Sequence, residues 1–276
     1  MKNVFQKTLI GFAVTASLGA ASSTVMAQSF PDFRVAESAI AAALPNTFTA
    51  DKITGNYVEV ITFAGSAFNV SLKWNAGQFV TNDGATPVGS QLGSVTANQY
   101  GLYALYQGSG TVSTTSSGTV FNFTPGGSLR LFSDANSDTA YGQPANGSTA
   151  WTTTNAADDR LLATGVPTSG QGTLNPSLST CSAGGGQGIN CGSFGASTTF
   201  ALTTDGSAYF LGPNPFYNLS FQSGQLNNFS ATGTQVINGS LDVIFGTAVP
   251  EPGSVALLGL GLAGLMLTRR RSKKQA

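Results

Sequence analysis

Two runs of alternating apolar and polar residues stand side by side in NYVEVITFAGSAFNVSLKW, residues 56–74. Successive side chains of a β-strand point to opposite faces, so the apolar residues at every second position from Phe68 to Trp74 share one face. The small residues Ala64-Gly65-Ser66 lie between the runs and suit a tight turn. The stretch therefore predicts an antiparallel hairpin with strands at Asn56–Phe63 and Ala67–Trp74.

Similar short runs, separated by turn residues, continue in both directions along the chain. Further strands are predicted at Gln78–Thr81, Gln99–Gln107, Gly118–Thr124, Ser128–Ser133, Arg160–Thr164, Ser197–Thr203, Leu219–Phe221, Phe229–Thr234 and Gly239–Phe245. Many short strands rich in Thr, Val, Phe and Tyr predict an all-β fold. We expect a single domain, built as an antiparallel β-sandwich or as a jelly-roll-like fold.

Segments of other character lie between the predicted strands. The alanines of residues 33–43 favour one short helix, and the Gly-, Ser- and Thr-rich residues 108–118 and 165–193 are predicted as long loops. Turns are predicted where Gly, Asn, Asp and Pro cluster. They are Asn82-Asp83-Gly84, Pro125-Gly126-Gly127 and Asp205-Gly206.

The first 27 residues have the three parts of a secretory signal peptide. Lys2 and Lys7 give a positive start, residues 9–21 form an apolar run, and Val25-Met26-Ala27 is a site that signal peptidase can read. The apolar run is too short for a permanent membrane span, which needs about 20 residues. We therefore expect signal peptidase to remove residues 1–27 during export.

The other end of the chain carries a second apolar run, residues 255–267, followed at once by Arg269, Arg270 and Arg271. Lys and Arg stay on the cytoplasmic side of a membrane, so this cluster predicts a stop-transfer signal behind a short transmembrane helix. Pro250, Glu251 and Pro252 precede the apolar run. Proline on both sides of the glutamate favours an extended segment that a processing enzyme can reach.

The order Pro-Glu-Pro, short apolar helix, arginine cluster and chain end over residues 250–276 resembles the PEP-CTERM sorting signal of exported Gram-negative proteins. The resemblance implies export across the inner membrane, transient anchoring through the tail, and removal of the tail by exosortase. The product would remain at the cell surface or in the extracellular matrix. In this family the setting is typically a bacterium that makes exopolysaccharide, in biofilms or flocs. Residues 28–249 would form the exported β-rich domain.

Parts of the central region also resemble the flocculation-associated subgroup of PEP-CTERM proteins. The matching segments are residues 48–57, 131–139, 158–165 and 213–217. This likeness is looser than that of the tail, and it supplies no catalytic residues. It implies a secreted protein that helps cells and exopolysaccharide to aggregate.

The charge of the central part differs from that of the whole chain. Seven of the 12 Lys and Arg residues lie in the two ends, against one of the 12 Asp and Glu residues. Residues 28–249 therefore carry five bases and eleven acids, a net charge near −6. We expect no nucleic-acid partner, because phosphate binding needs clustered Lys and Arg.

The chain contains no histidine. This excludes Ser-His-Asp and Cys-His catalysis in their usual forms and removes the commonest ligand of catalytic zinc. Glycosidases need only a pair of carboxylates, but among Glu37, Glu59 and the nine aspartates no pair stands out. We therefore expect a protein that is not an enzyme, with a polysaccharide-acting enzyme as the weakest alternative.

The only cysteines are Cys181 and Cys191, with a glycine-rich segment between them. In an oxidising compartment such a pair normally forms a disulfide. Two cysteines without a histidine do not easily complete a zinc site. We expect a structural disulfide worth roughly 2–3 kcal/mol on the entropic model.

One segment has the spacing of a calcium ligand set. Asp134, Asn136 and Asp138 place oxygen side chains at i, i+2 and i+4, as at the start of an EF-hand loop, with Asp158 and Asp159 as distant contributors. The rest of an EF-hand loop is missing, and an Asx-turn at the end of a strand explains the same residues. Calcium is therefore an alternative to having no cofactor.

Three functions remain open at this point. The first is a non-enzymatic matrix protein. The second is a carbohydrate-binding adhesin that uses calcium at the Asp134–Asp138 segment, and the third is the polysaccharide-acting enzyme considered above. Exposed aromatic rings could stack on sugars in such an adhesin, although most aromatic residues in strands belong to the core. The candidates are Trp74, Tyr100, Tyr103, Tyr106, Trp151, Tyr209 and Tyr217.

Overall fold

The computed structural model describes residues 30–246, except for residues 42, 94–98, 117, 182–187 and 189. The predicted signal peptide and the predicted tail lie outside the described residues. The tail includes Pro250-Glu251-Pro252, the short transmembrane helix and the cluster Arg269–Arg271. Within the described ranges, no helix has the length and apolar character needed to cross a membrane.

The described part of the chain forms seventeen strands, one α-helix and one 3-10 helix. The strands are β1 (Phe33–Ala36), β2 (Thr47–Ala50), β3 (Lys52–Ala64), β4 (Ala67–Thr81), β5 (Thr86–Pro87), β6 (Gly101–Thr115), β7 (Gly118–Asp134), β8 (Ala140–Gly142), β9 (Thr152–Thr154), β10 (Arg160–Gly165), β11 (Pro167–Leu174), β12 (Gly192–Thr198), β13 (Ala201–Leu202), β14 (Phe210–Gly212), β15 (Asn218–Ser223), β16 (Thr234–Ser240) and β17 (Asp242–Gly246). The α-helix is α1 (Thr204–Tyr209), and the 3-10 helix is Glu37–Ala39.

Eight of the strands form one antiparallel sheet that closes on itself. Their order is β3-β4-β6-β7-β11-β12-β15-β17, and β17 pairs back with β3. The all-β antiparallel class is thus confirmed, but the expected β-sandwich or jelly-roll-like arrangement is wrong, since the sheet is barrel-like. Alternation shows that each strand has an apolar face. It does not distinguish two facing sheets from one sheet whose apolar face turns inward.

Closure depends on long strands that change partners along their length. β7 pairs with β11 through Thr119–Phe123 and with β10 through Leu129–Ser133. In the same way, one side of β3 pairs with β16 through Asn56–Thr62 and with β17 at Lys52 and Ile53. A strand that serves two partners on one side brings distant parts of the chain into the same ring.

The predicted hairpin at residues 56–74 is confirmed as the part of the β3–β4 pair next to the turn. In its register Tyr57 lies opposite Trp74, Glu59 opposite Leu72 and Phe63 opposite Phe68. All six side chains are buried. Because directly opposite residues share a face, Glu59 lies on the same inward face as these aromatic residues.

The predicted loop 108–118 and the predicted turn Pro125-Gly126-Gly127 are wrong. Residues 108–115 continue β6, and residues 125–127 lie inside β7, where the register of the pair shifts between Gln107 and Ser109. Gly126 and Gly127 have φ of 112° and 102°, and a Cβ on Gly127 would lie 2.2 Å from the Gln107 carbonyl oxygen. The glycines therefore form a β-bulge, which bends a strand instead of ending it.

Several smaller expectations also change. Within the segment expected to hold a helix, residues 33–39 form β1 and the 3-10 helix. Asp205-Gly206 lies in α1, and the expected loop 165–193 contains β11. The strand expected at Phe229–Thr234 begins only at Thr234.

The strand expected at Gly239–Phe245 is interrupted at Leu241. The Trp74 indole N–H donates to the Leu241 carbonyl at 2.8 Å, and Leu241 N–H donates to the Gly55 carbonyl at 2.9 Å. These two bonds hold Leu241 between β16 and β17, where the chain passes from one pairing with β3 to the next.

One end of the closed sheet is covered by a small three-stranded sheet of order β14-β1-β2, together with α1. Phe33 of β1 lies with its ring centroid 4.9 Å from that of Phe245 and 6.3 Å from that of Phe79. Phe210 of β14 lies 5.8 Å from Phe245. We call this the capped end, and we call the end at the β3–β4 turn the hairpin end.

Candidate functional site

The acidic loop, residues 134–139, begins where β7 ends. Asp134 is buried, and its carboxylate accepts hydrogen bonds from the backbone N–H of Asp138 at 3.2 Å and of Thr139 at 3.0 Å. This is the Asx-turn that the sequence offers as an alternative to calcium. The turn also brings Asp138 back towards Asp134, so the local geometry suits both interpretations.

Strand pairing adds a third carboxylate to the acidic loop. β10 begins at Arg160, which lies opposite Ser133 of β7, so Asp158 just before β10 falls beside the loop. One carboxylate oxygen from each of Asp134, Asp138 and Asp158 lies within 4.8 Å of the others. The structure thus brings together two of the three predicted calcium ligands and one predicted distant contributor.

Asn136 and Asp159, two members of the predicted ligand set, are not placed as calcium ligands, because their side chains make other hydrogen bonds. The Asn136 amide nitrogen donates to the Asp158 carboxylate at 2.6 Å, so its N–H group rather than its oxygen faces the acids. Asp159 accepts hydrogen bonds from the hydroxyls of Tyr103 and Thr139. Burial, and to a lesser degree the charges of nearby Asp134 and Asp158, raises the pKa of Asp159.

The three carboxylates have the chemistry that calcium prefers. Calcium binds six to eight oxygen atoms at about 2.4 Å, so two oxygens on opposite sides of the ion are about 4.8 Å apart. The spacing of Asp134, Asp138 and Asp158 lies within that limit. The calcium site stays a prediction, and its ligand set is now Asp134, Asp138 and Asp158, without Asn136.

A groove of about 340 Å³ borders the acidic loop. One wall is the turn at residues 39–41, and the other contains Asn136, Asp158 and Arg160 together with Asp205 of α1. Ligand pockets for small molecules have volumes of about 300–1,000 Å³. The groove can therefore accommodate a small polar group next to Asp158, one of the three carboxylates.

The aromatic residues proposed for sugar stacking are mostly core residues. Trp74, Tyr100, Tyr103, Tyr106, Trp151 and Tyr209 are buried. Tyr217 is half-buried, and its hydroxyl donates to the Asp32 carbonyl at 3.1 Å. Among these candidates, only Tyr217 has a partly accessible ring.

Cys181 and Cys191 form a disulfide, as expected. The bond lies in the connection between β11 and β12, where the Leu226 carbonyl accepts a hydrogen bond from the Cys191 N–H at 2.9 Å. The disulfide therefore fastens this connection next to the segment that follows β15.

Comparison with known proteins bears on the end of the chain. The family model of the PEP-CTERM protein-sorting motif matches residues 248–271. No curated protein and no solved structure matches the chain. The match includes the predicted sorting residues Pro250, Glu251 and Pro252 and the cluster Arg269–Arg271.

The combination defines a disulfide-bonded all-β protein that carries a sorting signal at its C-terminus. The signal is that of exosortase, so the chain is an exosortase-targeted protein of the surface or extracellular space of a Gram-negative bacterium. The resemblance to the flocculation-associated subgroup is not confirmed by this match.

Proposed function

We propose that this protein is a non-enzymatic component of the extracellular matrix that associates with exopolysaccharide in flocs or biofilms. The observation that carries the proposal is the PEP-CTERM motif at residues 248–271, which directs the chain to exosortase. Signal peptidase removes the N-terminal signal, and the C-terminal tail anchors the protein only until exosortase cleaves it. The likeness of four central segments to flocculation-associated proteins supports the role in aggregation.

The chemistry of the central part supports a role without catalysis. The chain has no histidine, and its two central glutamates occupy different environments. Glu37 lies in a hydrogen-bonded network at the capped end, and Glu59 lies on the inward face of β3. The two glutamates therefore do not flank one cleft, as a glycosidase that used them as its carboxylate pair would require.

Deletion of the gene tests the proposal directly. We expect slower settling of flocs and less polysaccharide-bound protein, with recovery when the wild-type chain is restored. A chain with Glu251→Ala should not restore settling, because the unprocessed protein would stay in the membrane. Mass spectrometry of the recovered protein should show both cleavage sites in the wild-type chain. Unchanged floc formation after deletion would remove the proposal.

A second candidate function is calcium-dependent binding of carbohydrate. It is favoured by the three carboxylates within 4.8 Å of one another and by the groove beside them. A calcium ion at this position would leave coordination positions for hydroxyl groups of a sugar in the groove.

Calorimetry with calcium chloride tests the second candidate. We expect binding to the wild-type chain and a loss of affinity of about tenfold or more in Asp138→Asn, because one anionic ligand is lost. Asp205→Asn is the matched control, since Asp205 lines the groove but does not belong to the three-carboxylate group. No heat and no thermal stabilisation with calcium would end this candidate.

A further inference from the structure

A pocket opens into the interior of the closed sheet towards the hairpin end. Glu59 lies in it, with Ile61 and a set of aromatic and aliphatic side chains around it. These are Phe68, Phe121, Phe123, Phe194, Leu226 and Phe229. The pocket has a volume of about 300 Å³ including its open mouth, and its inner space measures about 20 Å³. That inner space has room for about one water molecule or one group of similar size.

Glu59 is the one charged side chain in the lining of this pocket, and it is only 5 % exposed. Among the residues that the structure describes, its carboxyl has no hydrogen-bond or ion-pair partner. Three of the five bases of the exported part interact elsewhere. Lys52 pairs with Asp242, Lys73 lies over Tyr141, and Arg130 lies over Phe132. Burial without such a partner raises the pKa of Glu59 to about 8.

Two further polar groups near Glu59 lack partners. The hydroxyls of Tyr57 and Tyr106 are buried and make no hydrogen bond within the described ranges. Burial raises the pKa of both, and the charge of Glu59 raises it further. Ser223 is close enough to lower the pKa of Tyr57, but its hydroxyl is directed at the carbonyls of Gln225 and Ser240.

Buried polar groups without partners are rare in folded proteins and call for a specific reason. Here a carboxyl and two hydroxyls, all able to accept hydrogen bonds, face the same interior. With Glu59 ionised, its carboxylate can only accept hydrogen bonds and the two hydroxyls can accept as well, so a ligand that brings donors satisfies all three groups. Ionised Glu59 repels an anionic ligand, and a purely apolar ligand would leave the three groups as they are.

The side chains that line the pocket further narrow the class of ligand that it can bind. The faces of aromatic rings carry partial negative charge and attract cations. Five phenylalanines and one carboxyl therefore favour a positively charged group with an apolar body. A primary ammonium group has three N–H donors and is about the size of a water molecule, which matches the narrow space beside Glu59.

We propose that this pocket binds a small primary alkylammonium ion, with the ammonium group at Glu59 and the alkyl chain against the phenylalanine rings. Binding requires the Glu59 carboxyl to ionise, so the complex forms with release of one proton below the pKa of the empty site. Among the described residues, Tyr57 and Tyr106 are the other titratable groups near Glu59, and both stay protonated in this range because burial raises the pKa of each. The site is independent of the acidic loop and of the sorting tail.

The segment 224–233 between β15 and β16 borders the pocket on one side. It carries Leu226 and Phe229, and in the described part of the chain β16 forms a backbone ladder only with β3. On its other side, β16 is joined to the segment 224–233 by side-chain hydrogen bonds. Asn227 donates to the Asn238 carbonyl at 3.1 Å, and Ser240 donates to the Gln225 side chain at 3.0 Å. A seam of this kind opens more readily than a strand ladder.

The test is calorimetric titration of the full-length chain with n-butylammonium chloride at pH 6 and pH 9. We expect affinity to be about a hundredfold weaker at pH 6, because one proton must leave Glu59 there. Measurement in two buffers of different ionisation enthalpy at pH 6 should show release of about one proton per ligand. n-Butanol, which has the same chain without the charge, should bind at least about tenfold more weakly.

Glu59→Gln is the decisive variant, because it keeps the shape of the side chain and removes its ionisation. Affinity for n-butylammonium should fall by about 10- to 100-fold, and the pH dependence should disappear. Asp205→Asn, an exposed acid in α1, should bind as the wild type does. The proposal is overturned if n-butylammonium fails to bind, if Glu59→Gln binds it equally well, or if n-butanol binds as tightly. Circular dichroism and thermal unfolding check that Glu59→Gln is folded.

Discussion

Among the described residues two glutamates are buried, Glu37 and Glu59, and their surroundings are opposite. Glu37 at the capped end is 0 % exposed, and its carboxylate accepts hydrogen bonds from four donors. These are the Gln91 N–H at 2.7 Å, the Asn46 and Gln91 side-chain amides at 2.8 and 3.0 Å, and the Tyr100 hydroxyl at 3.0 Å. Glu59 towards the hairpin end is 5 % exposed, and its carboxyl accepts no hydrogen bond from any residue that the structure describes.

The difference separates a structural carboxylate from one that is available to a ligand. Tyr209 of α1 extends the Glu37 network, since its hydroxyl lies 2.6 Å from that of Tyr100. The network connects the 3-10 helix, Tyr100 just before β6, and α1, so it holds the capped end together. An uncompensated carboxyl such as Glu59 contributes no such connection, and its burial opposes folding whenever it is ionised.

The largest expected effect is on the free energy of unfolding, when glutamine replaces glutamate at position 37 and, for comparison, at position 59. Glu37→Gln turns one acceptor oxygen into a donor that faces the amides of Asn46 and Gln91, so we expect a loss of about 3–5 kcal/mol in the free energy of unfolding. Glu59→Gln is the matched control, and at pH 7 it should not destabilise the protein. Urea denaturation of both variants measures this. Similar losses in the two variants would show that the two carboxyls are equivalent.

The second prediction concerns pH. The pKa of Glu59 is raised from 4.5 to about 8 in the folded protein. Because the folded state binds the proton more tightly, stability from this group is fully present below about pH 4.5 and is lost as pH rises to about 8. The advantage of Glu59→Gln over the wild type should therefore grow by roughly 2–4 kcal/mol between pH 4.5 and 8.

Unfolding curves of the wild type and Glu59→Gln at pH 4.5, 6 and 8 provide this measurement. Glu59→Gln removes only the one titration, so other groups cancel in the difference between the two chains. A difference that stays constant with pH would mean that Glu59 titrates normally in the folded protein.

The third prediction concerns the disulfide near the pocket. Replacing both Cys181 and Cys191 by serine should lower the free energy of unfolding by about 2–3 kcal/mol. The Gly188 carbonyl accepts from Asn228 N–H at 3.1 Å, and Cys191 bonds Leu226, so the loosened region includes the pocket segment. Hydrogen exchange should therefore speed up at residues 226–228 more than at Tyr100. Equal acceleration at the two places would contradict the assignment of the disulfide to the pocket side.

The sequence predicts the β3–β4 hairpin well because alternation, a turn and strand-forming residues agree there. The same reasoning fails at Pro125-Gly126-Gly127, where glycine and proline normally mark a turn. In the closed sheet these glycines take φ of 112° and 102° within β7 and form a bulge. A local pattern does not reveal whether a glycine ends a strand or bends it, because the partner strand decides.

The orientation of Glu59 could not be predicted from the sequence. Val58 and Val60 on one side and Tyr57, Ile61 and Phe63 on the other make both faces of β3 apolar. The remaining walls of the pocket come from β4, β7, β12 and the segment after β15, far apart in the sequence. Only the closed topology brings them together.

The acidic loop was partly predictable. The spacing of Asp134, Asn136 and Asp138 identifies the loop, and a strand at Arg160–Thr164 places Asp158 before a second strand. The pairing of β7 with β10 that joins them is a long-range choice. The role of Asn136 differs because its amide nitrogen, rather than its oxygen, faces Asp158.

The smallest expected effect tests how much α1 contributes to the capped end. The Thr203 side chain accepts a hydrogen bond from the Gly206 N–H at 3.0 Å and so caps the helix that carries Tyr209 to the Glu37 network. Thr203→Ala should lower the free energy of unfolding by about 1 kcal/mol. The neighbouring Thr204→Ala, at an exposed position, should change it by less than about 0.5 kcal/mol. Because the cap lies on the Glu37 side, affinity for n-butylammonium should be the same in both variants, and a change in Thr203→Ala would show that the two ends are coupled.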